Sequence, residues 1–451
     1  MSKYDVSIIG AGPAGYKAAL ILAKNGKKVC LIDLNEDRIG GTCLNEGCIP
    51  AKNYLESAGY FSKFAYFKDR GVSGSIDGFE LSRLKIKTDE LLNTLRVGVK
   101  NKLQKVGVDF YNAQAYFVSK DKIKVSDKTI EADKFIIATG SKHKEHPVLK
   151  VDNKYIISSR EIFKLEKLPN DILIIGAGAI GCEAANFFNH LGTKVHLCEF
   201  TPSILPLEDS DVSNTIQREF KKQGIKVDTS TNAVSYEIKD EKVSVTFEKN
   251  GKTFEGFYDK VLISIGRVPN VEELSLEIAG VQKDEKNFIK VDNSYKTTND
   301  NIYAIGDVIN TPSLAHVAYY EAKDLAYILL GKQRLAPSVV PNVVFTTPQV
   351  GSVGESEKSL KEKGINYSIK KLFLKTLGMP KIKGDDSGFV KLLIDDNYKK
   401  ILGASLVGYD MTEIINQVMI CINAELGLKE LNSMIFAHPT MSESFYKTLE
   451  G

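Results

Sequence analysis

The glycine motif Gly10-Ala-Gly12-Pro-Ala-Gly15 returns later in the chain as Gly176-Ala-Gly178-Ala-Ile-Gly181. A short apolar run precedes each copy (Val6–Ile9 and Ile172–Ile175), and a helical stretch follows it. A second apolar run, Lys28–Ile32 or Val195–Cys198, then ends in an acid, Asp33 or Glu199, 23 positions after the first glycine in both copies. This is the pattern of a βαβ unit that binds a dinucleotide. The first glycine permits a tight turn, the second lets backbone approach a pyrophosphate, and the third lets helix pack on strand. The free N–H groups and dipole of the helix start face the phosphates, and the acid accepts from ribose hydroxyls. One copy alone fits a glycine-rich turn in any α/β sheet. Two copies with one acid offset imply two bound dinucleotides. A second echo, Asp133-Lys-Phe-Ile-Ile-Ala-Thr-Gly140 and Asp259-Lys-Val-Leu-Ile-Ser-Ile-Gly266, is spaced by 126 positions. Each copy is expected to be a buried strand closing its own nucleotide domain.

The second site is expected to take NAD. Glu199 would repel a 2′-phosphate, and Phe200 to Pro206 contain no compensating arginine or lysine. With 451 residues the chain has room for roughly three domains. Its 60 basic and 57 acidic residues leave a net charge of +3, which gives no reason to expect nucleic acid. No stretch approaches the roughly 20 apolar residues of a membrane span, and nothing resembles a signal peptide. A cytoplasmic location is therefore expected. Six cysteines are too few for a secreted disulfide scaffold. Cys30, Cys182, Cys198 and Cys421 stand among apolar neighbours and read as buried small residues.

Cys43 and Cys48 stand apart, within Gly40-Gly-Thr-Cys43-Leu-Asn-Glu-Gly-Cys48-Ile-Pro-Ala-Lys52. They could form half of a metal site, but no second pair or suitably spaced histidine completes it, so no metal is expected. They could be reduced structural thiols. A place at a helix start would instead lower a thiol pKa and favour the reactive thiolate. Redox activity is the better reading.

At this point the chain resembles the flavoprotein pyridine nucleotide–disulfide oxidoreductases, and Cys-Leu-Asn-x-Gly-Cys-Ile-Pro-x-Lys is similar to the dihydrolipoamide dehydrogenases among them. The resemblance runs motif by motif over essentially the whole chain. It implies an α/β fold with two Rossmann-like dinucleotide-binding domains and a C-terminal α+β dimerisation domain. The implied divisions are 1–147 (first part of the FAD-binding domain), 148–268 (NAD-binding), 269–336 (completing the FAD site) and 337–451 (dimerisation). FAD would be held by Gly10, Gly12, Gly15, Asp33, Gly41, Thr42, Lys52, Ala115, Thr139, Gly140, Asp307 and Ala315. NAD would be held by Gly176, Gly178, Gly181, Glu199 and Gly266. Cys43 would be the interchange thiol and Cys48 the thiol facing the flavin, with Lys52 beside the flavin and paired with Glu183. Ile302-Tyr-Ala-Ile-Gly306-Asp307 resembles the second FAD motif, and Ser313-Leu-Ala315-His316 the start of a helix aimed at the flavin, with His316 itself structural. His438-Pro-Thr-Met-Ser-Glu443 resembles the family's acid–base motif. It implies His438 as acid–base, oriented by Glu443, reaching the disulfide of the opposite subunit of an obligatory homodimer.

In the C-terminal part, 341–354 resembles a first strand. Residues 388–395 and 401–408 read as antiparallel strands, and Thr412–Leu426 has helical periodicity. The implied partner is the lipoyl domain of a 2-oxoacid dehydrogenase acyltransferase, or a glycine cleavage lipoyl carrier. The chain starts almost at its first strand, so no fused lipoyl domain is expected.

Several positions depart from the family pattern. Glu46 stands where an apolar residue is usual and is expected to disfavour thiolate formation. Ala51 replaces a serine, Asp33 a glutamate with longer reach, Val317 a lysine and Gln349 a glutamate. The rivals are glutathione reductase-like chains, which place a tyrosine at the position of Ala179 and end their cysteine motif Val-Pro-Lys. Mercuric reductase-like chains carry a C-terminal cysteine pair, absent after Cys421, and coenzyme A disulfide reductases use one cysteine. A rival of another class is a catalytically silent FAD-binding scaffold subunit.

Overall fold

Each glycine motif lies between two parallel strands, and four strands around each motif share one order. The computed structural model describes residues 2–397 and 399–450. By internal contacts it separates into two compact units. One is Met1–Asn53, Ser82–Lys144 and Gly266–Ala336, and the other is Tyr54–Leu81, Glu145–Ile265 and Pro337–Gly451.

In the first unit, strand Ser2–Ile9 pairs in parallel with Val29–Asp33 and with Lys128–Ile137, and Val29–Asp33 pairs with Asp109–Asn112. Alternate residues feed opposite faces. Val6, Ile8, Val29 and Leu31 join one core, while Ile9, Cys30 and Ile32 join the other. The first core is closed by helix Pro13–Lys24 and helix Ala315–Leu329, which meet it through Ala14, Ala18, Ala19, Ala318, Ala322 and Ala326. Small side chains let these helix backbones lie close to the sheet.

In the second unit the order of four parallel strands recurs, Lys226–Asp228, Lys194–Cys198, Asp171–Ile175 and Lys260–Ile263, and Ile156–Ser158, which precedes the motif, adds a fifth. Helix Ala179–His190 follows the glycines. The C-terminal part is a five-stranded antiparallel sheet backed by helix Met411–Asn423. Its strands Phe389–Asp395 and Ile401–Gly408 pair as expected. The α/β class with an α+β C-terminal part is therefore as the sequence implied.

Three local expectations need correction. The two echo strands do not close their sheets. Lys128–Ile137 is flanked by Ser2–Ile9 on one side and by Lys122–Val125 and Ile302–Ala304 on the other, and Lys260–Ile263 lies between Asp171–Ile175 and Ile156–Ser158. Their unbroken apolar runs suit an interior position, buried on both faces. Residues 341–354 form two antiparallel strands, Asn342–Val344 and Gln349–Gly354, rather than one. Pro348 has no N–H for a ladder and falls in the turn. The C-terminal helix ends at Asn423, because Glu425 adopts a left-handed φ of 53°.

The apolar pattern of Phe389–Asp395 also conceals a buried cation. Lys391 is 2% exposed, and its ammonium lies 3.0 Å from Asp209 and 3.0 Å from Asp211, with Glu357 also bonded to it. The three acids are spaced like a metal site, with oxygens within 4.8 Å of one another, and Lys391, together with Lys371 on Asp211 and Lys361 on Glu357, supplies the opposing charge.

Under the second nucleotide sheet, buried His196 lies 2.5 Å from the Tyr258 hydroxyl through Nδ1 and 3.0 Å from Asp228 through Nε2. Burial, aided by Lys226, pushes the imidazole down to about 4. Burial works against Asp228, yet the Lys249 hydrogen bond and neighbouring positive charge hold it at about 2. The neutral ring thus accepts from tyrosine and donates to carboxylate. An unfolded histidine titrates near ~6.5, so as pH falls toward 4 the unfolded chain binds a proton that the folded chain refuses, and stability is lost. His190, also pushed by burial to about 4, acts with the same sign. The urea midpoint is expected to drop between pH 7 and 5, and His196→Gln to lessen that drop. An unchanged pH slope in the variant would refute the assignment.

Candidate active site and nucleotide cradles

Two of the three glycines in each motif are required by the fold itself. A Cβ on Gly15 would lie 1.8 Å from the Gly10 carbonyl oxygen, and one on Gly181 would lie 1.9 Å from that of Gly176. Gly10 and Gly176 have φ of 104° and 98°, and a Cβ there would strike the Ala138 or Ser264 carbonyl at 2.3 or 2.6 Å. The middle glycines differ. Gly178 has nothing within 4 Å of its missing Cβ, and Gly12 meets only the Gly41 Cα at 3.9 Å. Both have ordinary negative φ, and neither helix start carries a side-chain cap. Open backbone at an uncapped helix N-terminus fits a dinucleotide pyrophosphate.

The terminal acids bind back to the same loops. Asp33 accepts from the Ala11 N–H at 2.6 Å, and Glu199 from the Ala177 N–H at 2.7 Å. The shorter aspartate therefore makes the contact that glutamate makes in the second copy. Burial raises the Asp33 pKa, though hydrogen bonds from Ala11 and Leu34 oppose this. Gly140 and Gly266 have left-handed φ of 71° and 107° and nothing within 4 Å of a built Cβ.

Cys43 lies in the first turn of helix Gly41–Glu46, and Cys48 opens helix Cys48–Ser62, with Lys52 one turn on. The segment is seated by backbone. A Cβ on Gly41 would lie 2.6 Å from the Gly12 Cα, and the Gly40 N–H donates to the Ala11 carbonyl at 2.8 Å. Asn45, a residue the sequence reading passed over, donates to the carbonyls of Arg38 and Gly41 at 3.0 and 2.8 Å. The Cys43 and Cys48 thiols are hydrogen-bonded to each other. That contact, with burial, pushes the Cys43 thiol well up, with Lys52 pulling the other way. Cys43 in the dithiol is thus raised rather than lowered as expected, first by the neighbouring thiol and then by burial. Nor does Glu46 act as a lone charge, since Arg38 Nη2 pairs with it at 2.9 Å. The other four cysteines are buried, as expected.

Asp307 accepts from the Ser141 hydroxyl at 2.6 Å, and Ser141 in turn accepts from Arg267 Nε at 2.7 Å. Neither residue was anticipated, yet each directly follows an echo glycine. The Thr139 hydroxyl donates to the Asn270 carbonyl at 2.7 Å. Ala315 opens its helix as expected, and the Ala115 side chain is buried in a core, leaving only its backbone to a ligand. Glu183 is 8% exposed and accepts from the Phe345 N–H at 3.0 Å, so it is no surface charge. Gln349, where glutamate is usual, accepts from the Thr412 hydroxyl at 3.0 Å. In the C-terminal loop, His438 Nδ1 lies 2.8 Å from Glu443, which also accepts from the Thr440 N–H at 3.1 Å. The His438 hydrogen bond holds the Glu443 carboxyl below its ordinary range. The imidazole itself is 76% exposed.

Residues 4–322 match the family described as pyridine nucleotide-disulphide oxidoreductase, and 340–449 match its dimerisation domain. The chain belongs to this family, is an oxidoreductase that uses FAD and NAD, and carries the segment through which the family forms dimers. Among curated relatives it is 34% identical to the dihydrolipoyl dehydrogenase of Chlamydia muridarum, over 98% of this chain and 95% of that protein. It is 33% identical to the dihydrolipoyl dehydrogenase of Bacillus subtilis, over 98% and 97%. Among solved structures it is similar to the HOCl-induced flavoprotein disulfide reductase RclA from Escherichia coli, with TM-score 0.89 and 29% identity over 99% of both chains. It also resembles LpdA from Mycobacterium tuberculosis, with TM-score 0.91 and 25% identity over 100% of this chain and 99% of that one. Among the described residues no helix is long and apolar enough to cross a membrane.

The glycine geometry separates fold from binding. Gly178→Ala is expected to keep the wild-type Tm and weaken NAD binding about tenfold or more, roughly 1.4 kcal/mol, by titration calorimetry. Gly176→Ala, at positive φ and against a carbonyl, is expected to lower the Tm outright. Equal Tm losses in both variants would sink the distinction.

Proposed function

We propose that this chain is a dihydrolipoyl dehydrogenase, oxidising dihydrolipoyl groups to the lipoyl disulfide with NAD⁺ as final acceptor. The observation that carries the reading is the contact of the Cys43 and Cys48 thiols beside the first glycine motif, in a chain whose curated relatives bear that name over nearly their full length.

In this reading one substrate thiolate attacks Cys43 of the Cys43–Cys48 disulfide, forming a mixed disulfide and releasing Cys48. The second substrate sulfur then attacks the first, closing the lipoyl ring and releasing Cys43. The substrate loses two electrons and two protons, and the protein gains them as a dithiol. His438, fixed in tautomer by Glu443, takes protons from the incoming thiols and hands them to the released sulfurs. Its exposure in the single chain fits a role toward the disulfide of the partner subunit in a homodimer. FAD, when bound, supplies the two-electron path from dithiol to NAD⁺. Gly10, Gly12, Gly15, Asp33, Gly41, Thr42, Thr139, Gly140, Asp307 and Ala315 would hold it, with Ala115 contributing backbone. Gly176, Gly178, Gly181, Glu199 and Gly266 would hold NAD, and Lys52 and Glu183 would act as a pair at the flavin. We assign 1–147 and 269–336 to the FAD site, 148–268 to the NAD site and 337–451 to dimerisation. The lipoyl carrier would be an acyltransferase lipoyl domain or the glycine cleavage carrier, met in the cytoplasm.

A second reading, a disulfide reductase with another thiol substrate, is favoured by the full-length likeness to RclA. Steady-state oxidation of dihydrolipoamide with NAD⁺ and NADP⁺ in parallel separates them. Rapid turnover is expected with NAD⁺ only, abolished in Cys48→Ser and lowered about 10²- to 10⁴-fold in His438→Ala. Wild-type lipoamide turnover in Cys48→Ser would defeat the mechanism. No turnover by FAD-loaded wild type would hand the case to the second reading.

A further inference from the structure

The acid–base motif holds a third member that the cycle above does not use. Helix Glu443–Glu450 begins at Glu443 itself, so Lys447 returns to the same helix face one turn later. Its Nζ lies 3.4 Å from Glu443 Oε1, the same oxygen that His438 Nδ1 meets at 2.8 Å. Glu443 Oε2 is occupied separately, by the Thr440 N–H at 3.1 Å. One carboxylate oxygen is therefore shared by an imidazole and a permanent cation. The carboxylate is 12% exposed and the ammonium 40%, so water screens the pair only in part.

The loop that carries these groups is tied down. Gln417 Nε2, from helix Met411–Asn423, donates to the Ser442 hydroxyl at 2.8 Å, and the Phe436 and Tyr446 rings stack with centroids 5.0 Å apart. The charges on the elements packed against helix Glu443–Glu450 are drawn to other partners or to solvent. From strand Tyr367–Phe373, Lys370 donates to the Leu449 carbonyl at 2.8 Å and Lys371 to Asp211 at 2.8 Å. From strand Phe389–Asp395, Lys391 is buried among its acids, and Asp395 accepts from the Asn397 N–H at 2.8 Å. From helix Leu428–Asn432, Glu430 accepts from the Gly427 N–H at 3.0 Å, and Lys429 is exposed. Glu413, the one charged residue of helix Met411–Asn423, is exposed as well. Glu450, at the far end of its helix, bonds to the Tyr446 hydroxyl. Among the described residues, the ion-pair partners of Glu443 are His438 and Lys447.

We propose that Lys447 is a positioning residue for the acid–base step, dividing the charge of Glu443 so that His438 gives its proton up to a sulfur. A carboxylate facing the imidazole alone would favour the charged imidazolium and hold the proton there. A second cation on the same oxygen weakens that hold, and as a like charge it disfavours the imidazolium directly. The proton balance of the cycle is unchanged: each proton taken from a substrate thiol still returns to a released sulfur. This role of Lys447 rests on the acid–base reading of His438.

Two readouts on FAD-loaded protein test it. One is the acid limb of the kcat/KM pH profile for dihydrolipoamide with NAD⁺. The other is the pH midpoint of His438 modification by diethyl pyrocarbonate, which attacks neutral imidazole, scored by peptide mass spectrometry. Lys447→Met is expected to move both midpoints up by about half a pH unit, and Lys447→Glu by about one unit. Lys447→Arg should keep the wild-type midpoints, as should Lys429→Met on the neighbouring helix. Lys447→Gln serves if Lys447→Met misfolds, with the same expectation. Unmoved modification midpoints in variants that keep the wild-type Tm overturn the role of Lys447, as does an equal shift from Lys429→Met. A shifted modification midpoint beside an unmoved kcat/KM limb upholds the charge division and overturns the acid–base reading of His438 instead.

Discussion

Backbone packed directly on backbone at the first glycine motif is the constraint on which the redox site depends. Gly15 closes on the Gly10 carbonyl, and Gly41 closes on Gly12. The first contact seats the helix against its strand, and the second seats the cysteine segment against the open start of that helix. Any side chain at Gly15 or Gly41 would force apart elements that bring the two sulfurs beside the first glycine motif. The same closure of Gly181 on Gly176 builds the second cradle, without a cysteine segment. One architectural device therefore serves twice, and only one copy acquires redox chemistry.

Charge near the sulfurs is arranged so that little is left unopposed. Lys52 is the cation that favours ionised Cys43, while burial and the Cys48 thiol oppose it. Glu46, which alone would oppose a thiolate, is taken up by Arg38. Lys391 shows the same economy elsewhere, with three acids gathered around one buried ammonium. In both places a charge that looks anomalous in the linear sequence finds its partner through the fold, far along the chain for Lys391 and eight positions away for Glu46.

Much of the fold was legible because its signals are local. Apolar runs, glycine spacing and a terminal acid mark a βαβ unit within about 30 residues, and both copies folded where they were read. The misplaced features were those that need a neighbour to define them. Whether Lys128–Ile137 is an edge or an interior strand depends on Ile302–Ala304, far away in sequence. Ser141, which donates to Asp307, and Arg267, which donates to Ser141, carry no motif of their own.

The sequence by itself determined the two cradles, the sulfur pair, the C-terminal His438–Glu443 motif and the family, because each is written in contiguous residues whose spacing has one good physical use. Tertiary structure decided which glycines serve the fold and which leave room for a ligand. It also decided that Cys43 as a thiol is held up rather than down, and that Glu46 is paired with Arg38. Those outcomes are sums of burial, hydrogen bonds and charge over residues distant in the chain, and such sums exist only once the chain has folded.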